Sequence, residues 1–368
     1  MVVFYVSGHG FGHASRDLAV LHALLRQRPT VKPILRTGVP AWLFQRATRQ
    51  PLEIQPLETD SGLAQVDSLT IDERETARRA VRFYENFDER VAAEAAWLRS
   101  VAAQVVVADV PPLACAAAAR AEIPSVVLAN FTWDWVYEAL EHFTRDAGAV
   151  LPVITRAYAS ATHALRLPMH GGFAPMAAVI RDIPFVARRS ERGRAATRAA
   201  LGLDERQPIA LASFGGHGVR MPYVEAAREG RMLILLTEFE AEANGGAIAH
   251  PHIRCVSARE MTERHLRYED LVAAADVVVS KPGYGIVSEC IANGTALLYT
   301  SRGRMVEYDV LVAQMPRALR CRFISQGDLL DGRWADAIDS LLAQPPAPTR
   351  PMTNGADVAA HFILALTR

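Results

Sequence analysis

Short apolar runs alternate with Ala/Leu/Arg-rich stretches of helical period along almost the whole chain, and no other feature constrains the fold as tightly. The runs at 2–6, 31–36, 104–108, 125–129, 208–213, 231–236, 276–280 and 296–300 read as strands. They are continuously apolar rather than strictly alternating, as expected of parallel strands covered by helices on both faces. The pattern also repeats. Val105-Val106-Val107-Ala108-Asp109-Val110-Pro111-Pro112, a helix near Leu113–Arg120 and the strand Val126-Val127-Leu128 form one unit. A gapless shift of 172 residues lays it over Val277-Val278-Val279-Ser280-Lys281-Pro282-Gly283, a helix through Cys290 and the strand Leu298-Tyr299-Thr300. Each half also opens on a strand that runs into a glycine-rich loop: Ser7-Gly8-His9-Gly10-Phe11-Gly12-His13, and Ser213-Phe214-Gly215-Gly216-His217-Gly218. Few residues are identical between the copies, so the repeat is architectural. It predicts an α/β protein of two doubly wound parallel-sheet domains. Their expected bounds are 1–165 and 201–343, with an interdomain connection at 166–200 and a terminal helix at 352–368 after the breaker Gln344-Pro345-Pro346-Ala347-Pro348.

Length and charge agree with this division. A chain of 368 residues accommodates two domains. Forty Lys+Arg balance forty Asp+Glu, which removes the bulk electrostatic case for a nucleic-acid or anionic-membrane partner. Only two of the basic residues are lysines, Lys32 and Lys281. The four cysteines are far apart and form no CxxC, so neither a zinc knuckle nor a dense disulfide framework is expected. The chain starts directly on a strand, without the basic and apolar regions of a signal peptide. Its most apolar long stretch, Val101–Ala119, is interrupted by Gln104, Asp109, Pro111 and Pro112, too often to span a bilayer. A cytoplasmic protein without a membrane span is expected. Peripheral membrane association and the oligomeric state stay open.

The first glycine loop precedes a helix from Ala14 to Leu25, and Gly8, Gly10 and Gly12 turn backbone N–H groups toward an anion at its N-terminus. The spacing meets only part of the dinucleotide fingerprint GxGxxG. His13 occupies the third glycine position, and the second strand ends on Arg36-Thr37 rather than an acid. NAD is therefore disfavoured, and NADP remains only through an Arg36 contact to a 2′-phosphate. His13 and His9 are titratable groups in a turn that normally takes small residues. They are candidates for function, against a structural role.

The run Gly12-His13-Ala14-Ser15-Arg16-Asp17-Leu18-Ala19-Val20 resembles the first loop of MurG-type glycosyltransferases. Val6 to Ala14 is more similar still to the glycosyltransferase-like N-terminal region of plant L-arabinokinase, as are Asp60-Ser61-Gly62, Asp67-Ser68-Leu69 and Ala129-Asn130-Phe131-Thr132-Trp133-Asp134. The resemblance covers most of the chain. It implies the GT-B fold, two Rossmann-like domains facing across a cleft, with the acceptor on the first and a nucleotide-diphosphate sugar on the second. In family-one transferases of this fold a histidine at this loop is the general base and a later aspartate orients it. The resemblance puts His13 and Asp109 in those roles, while Asp109 can also be read as an N-cap before Pro111-Pro112.

Ser280-Lys281-Pro282-Gly283-Tyr284-Gly285 with Ser288-Glu289 resembles the donor motif of MurG-type and galactolipid-synthase-type enzymes. There the loop and helix N-terminus hold the diphosphate and the glutamate bonds to the ribose. The implied donor residues are Lys281, Gly283, Tyr284, Gly285, Ser288 and Glu289. Ser213, Gly215 and Gly216 form the turn that opens the donor domain, and Gly10 and Gly12 the phosphate-type loop of the first. A buried Glu–Arg pair is the plainer alternative for Glu289. His9, Asn130, Trp133, Asp134 and Glu307 are candidate sugar or acceptor contacts, although Trp133 can equally be core. The arginine-rich stretch 188–198 reads as a solvated helix face. No Asp-x-Asp occurs, so no metal and no resident cofactor are expected, and the nucleotide sugar is a co-substrate. The function expected is an inverting, metal-independent glycosyltransferase using a UDP-sugar. The alternatives are a nucleotide-sugar epimerase or hydrolase and a non-catalytic sensor.

Overall fold

The computed structural model describes every residue except 10, 46–51, 68, 215–219, 247, 302, 304 and 368. Among the described residues, thirteen strands form two fully parallel sheets. The first contains β1 (Val2–Val6), β2 (Pro33–Thr37), β3 (Glu53–Pro56), β4 (Val105–Asp109), β5 (Ser125–Ala129), β6 (His163–Arg166) and β7 (Ile180–Asp182) in the order β3-β2-β1-β4-β5-β6-β7. The second contains β8 (Ile209–Ser213), β9 (Leu233–Thr237), β10 (Ile253–Val256), β11 (Val277–Ser280), β12 (Ala296–Tyr299) and β13 (Cys321–Phe323) in the order β10-β9-β8-β11-β12-β13. Counted within its own half, the second order reproduces that of the first six strands, with β7 added at the edge of the first sheet, so the repeat seen in the sequence is one of topology.

Each sheet buries both faces, which explains the continuous apolar runs. In the first, Val3, Tyr5, Val106, Ala108, Val127 and Ala129 point into one core. Their neighbours Val2, Phe4, Val105, Val107, Val126 and Leu128 point into the other. The second sheet splits the same way, with Ala210, Ile234 and Val277 on one face and Leu211, Leu235 and Val278 on the other.

Two boundaries differ from expectation, and the structure decides where the terminal helix packs. The first sheet continues past residue 165: β7 lies within the expected connection and pairs with β6. The helix Arg194–Leu201 packs with the second half, where the Arg198 side chain reaches Asp276 Oδ2 at 2.8 Å. The terminal helix Gly355–Ala365 returns to the first domain, burying Ala359, Ala360, Ile363 and Leu364 beside Leu21 and Leu24. The chain therefore crosses between the domains twice, and the crossings touch: Phe185 N–H donates to Met352 O at 3.1 Å and Gly355 N–H to Phe185 O at 2.9 Å. Only glycine fits at 355, because a Cβ there would lie 2.1 Å from the carbonyl oxygen of Pro184.

Among the described residues no helix is long and apolar enough to cross a membrane.

Candidate active site

In open parallel sheets, ligands bind beyond the carboxyl ends of the strands where the strand order reverses. That point lies between β1 and β4 in the first sheet and between β8 and β11 in the second. The two points face one cleft of about 1650 Å³, lined from one side by His9, His13, Arg16 and Asn130 and from the other by Ser213, Lys281, Gly283, Gly285, Ser288 and Glu289. The walls meet at glycines: a Cβ on Gly285 would sit 3.4 Å from Gly12 Cα.

His13 lies in the first turn of the helix Phe11–Gln27, and Asp109 ends β4. His13 Nδ1 is 2.8 Å from Asp109 Oδ1. His13 is 9% exposed and Asp109 fully buried. Arg16, one helical turn beyond His13, donates through Nε to Asp109 Oδ2 at 2.7 Å, through Nη2 to Asp109 Oδ1, and through Nη1 to Asn130 Oδ1. Burial alone would raise the Asp109 carboxyl. The charge of Arg16, with the hydrogen bonds from Arg16 and His13, outweighs it and holds it at about 2. Asp17, also buried, has neither carboxylate oxygen hydrogen-bonded to a described residue, and burial together with the nearby Asp109 charge pushes its carboxyl well up. Arg16 Nη2 also lies 3.1 Å from His13 Nδ1. One ring nitrogen cannot donate to Asp109 and accept from Arg16 at once. The shorter, charge-assisted contact assigns the proton on Nδ1 to Asp109 and leaves Nε2 as the unprotonated nitrogen.

Arg16 is the component that reading the sequence did not place in the site. Its i, i+3 spacing from His13 was the available signal, since residues three apart share a helix face.

Several expected contacts take other roles. Asn130 spends its amide on Arg16 and on Pro168 O, the latter at 2.7 Å. Trp133 lines the cleft but is 2% exposed; its ring stacks on Tyr137 and its indole N–H donates to Asp60 Oδ2 at 2.9 Å, so it also supports a carboxylate. Asp60 also accepts from Ser7 Oγ at 3.1 Å and lies 3.5 Å from His9 Nε2. The His9 ring rests on Gly62, where φ is +50° and a Cβ would come within 1.8 Å of the ring. Asp134 is buried in the first turn of the helix Trp133–Glu138, away from the cleft lining. Arg36, the residue that kept NADP open, is engaged by Glu94 and by Gln55 Oε1 at 3.0 Å, with its guanidinium 4.2 Å from the Trp97 ring centroid.

On the other wall, Gly283 caps the helix Tyr284–Asn293 without a side chain, leaving the first N–H groups of that helix open to the cleft. Lys281 and Glu307 line the cleft. The Ser213 hydroxyl accepts from Tyr268 at 2.6 Å. The Ser288 hydroxyl donates to Gly285 O at 2.8 Å, which leaves its oxygen able to accept only. Tyr284 stacks on Phe131 of the first domain, with ring centroids 6.1 Å apart, so its side chain contacts the opposite wall rather than a phosphate. Glu289 is 4% exposed and forms the buried pair that was the plainer expectation: Arg188 Nε donates to its Oε1 at 2.7 Å. Arg188 and Arg198 are thus not part of a solvated face; both are committed to acids of the second domain. Gly10, Gly215 and Gly216 lie outside the described residues. Among the described residues no three His, Cys, Asp or Glu side chains are grouped to hold a metal.

Two doubly wound parallel domains with their switch points facing one cleft define the GT-B class of fold. The chain is 30% identical to L-arabinokinase of Arabidopsis thaliana over 98% of its own length, and it spans 34% of that relative. Among solved structures it superposes on the calicheamicin glycosyltransferase CalG4 with a TM-score of 0.63, at 14% identity, covering 99% of this chain and 98% of CalG4. MurG of Acinetobacter baumannii gives a TM-score of 0.54 at 11% identity, covering 99% of each chain. The glycosyltransferase VinC in complex with dTDP gives 0.57 at 15% identity, covering 99% of this chain and 94% of VinC. No family profile matches the chain.

Proposed function

We propose that the protein is a glycosyltransferase that moves a sugar from a nucleotide-diphosphate sugar to an acceptor hydroxyl, with inversion and without a metal. The observation that carries the proposal is the His13–Asp109 pair at 2.8 Å, set in the cleft wall opposite the open helix N-terminus at Gly283. The cleft volume of about 1650 Å³ exceeds the roughly 300–1,000 Å³ of a single-ligand pocket, which suits two substrates together. His13 Nε2 takes the acceptor hydroxyl proton as that oxygen attacks the anomeric carbon. The bond from the anomeric carbon to the diphosphate breaks, and the nucleoside diphosphate leaves with its negative charge. Asp109 stabilises the imidazolium so formed. The helix N-terminus at Gly283, with Lys281 beside it, stabilises the leaving diphosphate. Uridine is the base favoured by the family resemblance, and the dTDP in the VinC complex shows that a relative in fold accepts another.

One observation favours a second reading, a non-catalytic nucleotide-sugar sensor. Arg16 takes both oxygens of Asp109 and approaches His13 Nδ1, which weakens the claim of the imidazole on its carboxylate. A thermal-shift panel of UDP-, GDP-, ADP- and dTDP-sugars, followed by turnover with hydroxyl acceptors, separates the two. A ligand at about 100 times its Kd adds about 2.7 kcal/mol to stability. Stabilisation with transfer supports the enzyme, stabilisation without transfer or hydrolysis supports the sensor, and no stabilisation by any of the four rejects both.

A further inference from the structure

The segment joining the domains enters the nucleotide side of the cleft, a placement that its arginine-rich composition concealed. Ile183 and Val186 pack into the first domain and Phe185 into the second. Beyond them the backbone is tied to the helix Tyr284–Asn293 by one side chain: Asn293 Nδ2 donates to Arg188 O at 3.1 Å, and Asn293 Oδ1 accepts from Ser190 N–H at 2.9 Å. Ser190 Oγ adds a bond to Asp270 Oδ1 at 2.6 Å. The Arg188 side chain, 17% exposed, turns from this anchored backbone to Glu289. Its Nε and Nη2 approach the same oxygen, Oε1, at 2.7 and 2.6 Å. Nη1 lies 3.6 Å from Glu269 Oε2, and the guanidinium carbon 5.4 Å from the Tyr268 ring centroid.

Two donors on one carboxylate oxygen fix the plane of the group and leave Oε2 outside the pair. Glu289 itself lines the cleft. A vicinal diol approaching from the cleft can therefore be accepted at Oε2 without breaking the ion pair. A buried carboxylate with no counter-charge would instead tend to take up a proton, and a carboxyl with no fork would be free to rotate.

We infer that Arg188 is a positioning residue for the nucleotide: by holding Glu289 Oε1 it presents Oε2 to the ribose 2′,3′-diol, so the interdomain segment sets the preference for ribonucleotides. The inference rests on the nucleotide-binding reading above. It concerns the ribose alone, so base and phosphate contacts are unaffected. Because Asn293 and Ser190 hold the segment through its backbone, replacing the Arg188 side chain does not release it.

Calorimetry with ADP, GDP and UDP and their 2′,3′-dideoxy forms tests it. Hydrogen bonds to a charged group correspond to a preference of roughly 10- to 100-fold for the diol in the unaltered protein. In Arg188→Met the ribonucleotide should fall to the affinity of its dideoxy form, and the dideoxy form should bind within about twofold of its original affinity. Arg188→Lys, which keeps the charge but not the fork, should recover part of the preference. In Glu289→Gln, further replacement of Arg188 by Met should not alter the preference; this double variant removes both charges of the pair, and the buried Glu269 keeps Arg267 as a partner at 3.8 Å. Equal losses for both nucleotide forms, or a full preference retained in Arg188→Met, would overturn the assignment. Failure of the unaltered protein to bind any of the six nucleotides or dTDP would overturn the functional reading and the inference with it, and binding of dTDP alone would overturn the inference. Binding without diol preference would overturn the inference alone.

Discussion

Arg16 and Asp109 should behave energetically as one unit. Arg16 is 8% exposed and Asp109 fully buried, and three guanidinium N–H groups go to Asp109 and Asn130. Removing one member of a buried, hydrogen-bonded pair costs about 3–5 kcal/mol, because the other charge is left without compensation. Arg16→Met should lie at the upper end of that range, since the buried Asp17 also loses a cation that lowers its carboxyl. Asp109→Asn leaves a buried arginine and should cost a similar amount. The double variant removes both charges and should cost little more than either single change, giving a coupling energy of about 2 kcal/mol or more. Urea unfolding of the four proteins measures each value without any substrate. The acid limb provides a second reading. With its carboxyl held at about 2, ionised Asp109 stabilises the fold above its ordinary value near 3.8 and loses that contribution as pH falls through about 2. In Arg16→Met the folded value rises toward or past the ordinary one, so this acid-limb loss should shrink or reverse. Single-variant costs that add within about 0.5 kcal/mol, with an unchanged acid limb, would refute the pairing.

Other outcomes follow from the same geometry. His13→Ala should lower kcat by about 10²–10⁴-fold with donor Kd unchanged in calorimetry, and adding Asp109→Asn should lower it little further, because the carboxylate then has nothing to orient. Transfer should continue in excess EDTA; a loss restored by Mg²⁺ or Mn²⁺ would contradict the metal-independent mechanism. Gly355→Ala should destabilise the protein by about 1–3 kcal/mol, measured by chemical denaturation, as its Cβ meets the Pro184 carbonyl at 2.1 Å where the two crossings touch.

The eight strands legible in the sequence include β1, β4 and β5 and their counterparts β8, β11 and β12, which carry the site. Those strands are buried on both faces, and that burial demands the unbroken apolar runs by which they were recognised. The strands missed, β3, β6, β7, β10 and β13, lie toward the sheet edges and are short and partly exposed, so they carry polar residues and no clear period. The site follows a similar division. Glycine loops at strand ends and a histidine opening a helix are local features, set by backbone conformation and helix polarity over a few residues, and the sequence displays them directly. The partners of those groups are non-local. Arg16 meets Asp109 across 93 positions, Trp133 meets Asp60 across 73, and Arg188 meets Glu289 across 101. Trp133 looked like a stacking face and Arg188 like a solvated one because composition records what a side chain can do, not what lies beside it. A buried charge or indole N–H must find its partner wherever the packed sheets bring one, and only the tertiary structure decides which partner that is.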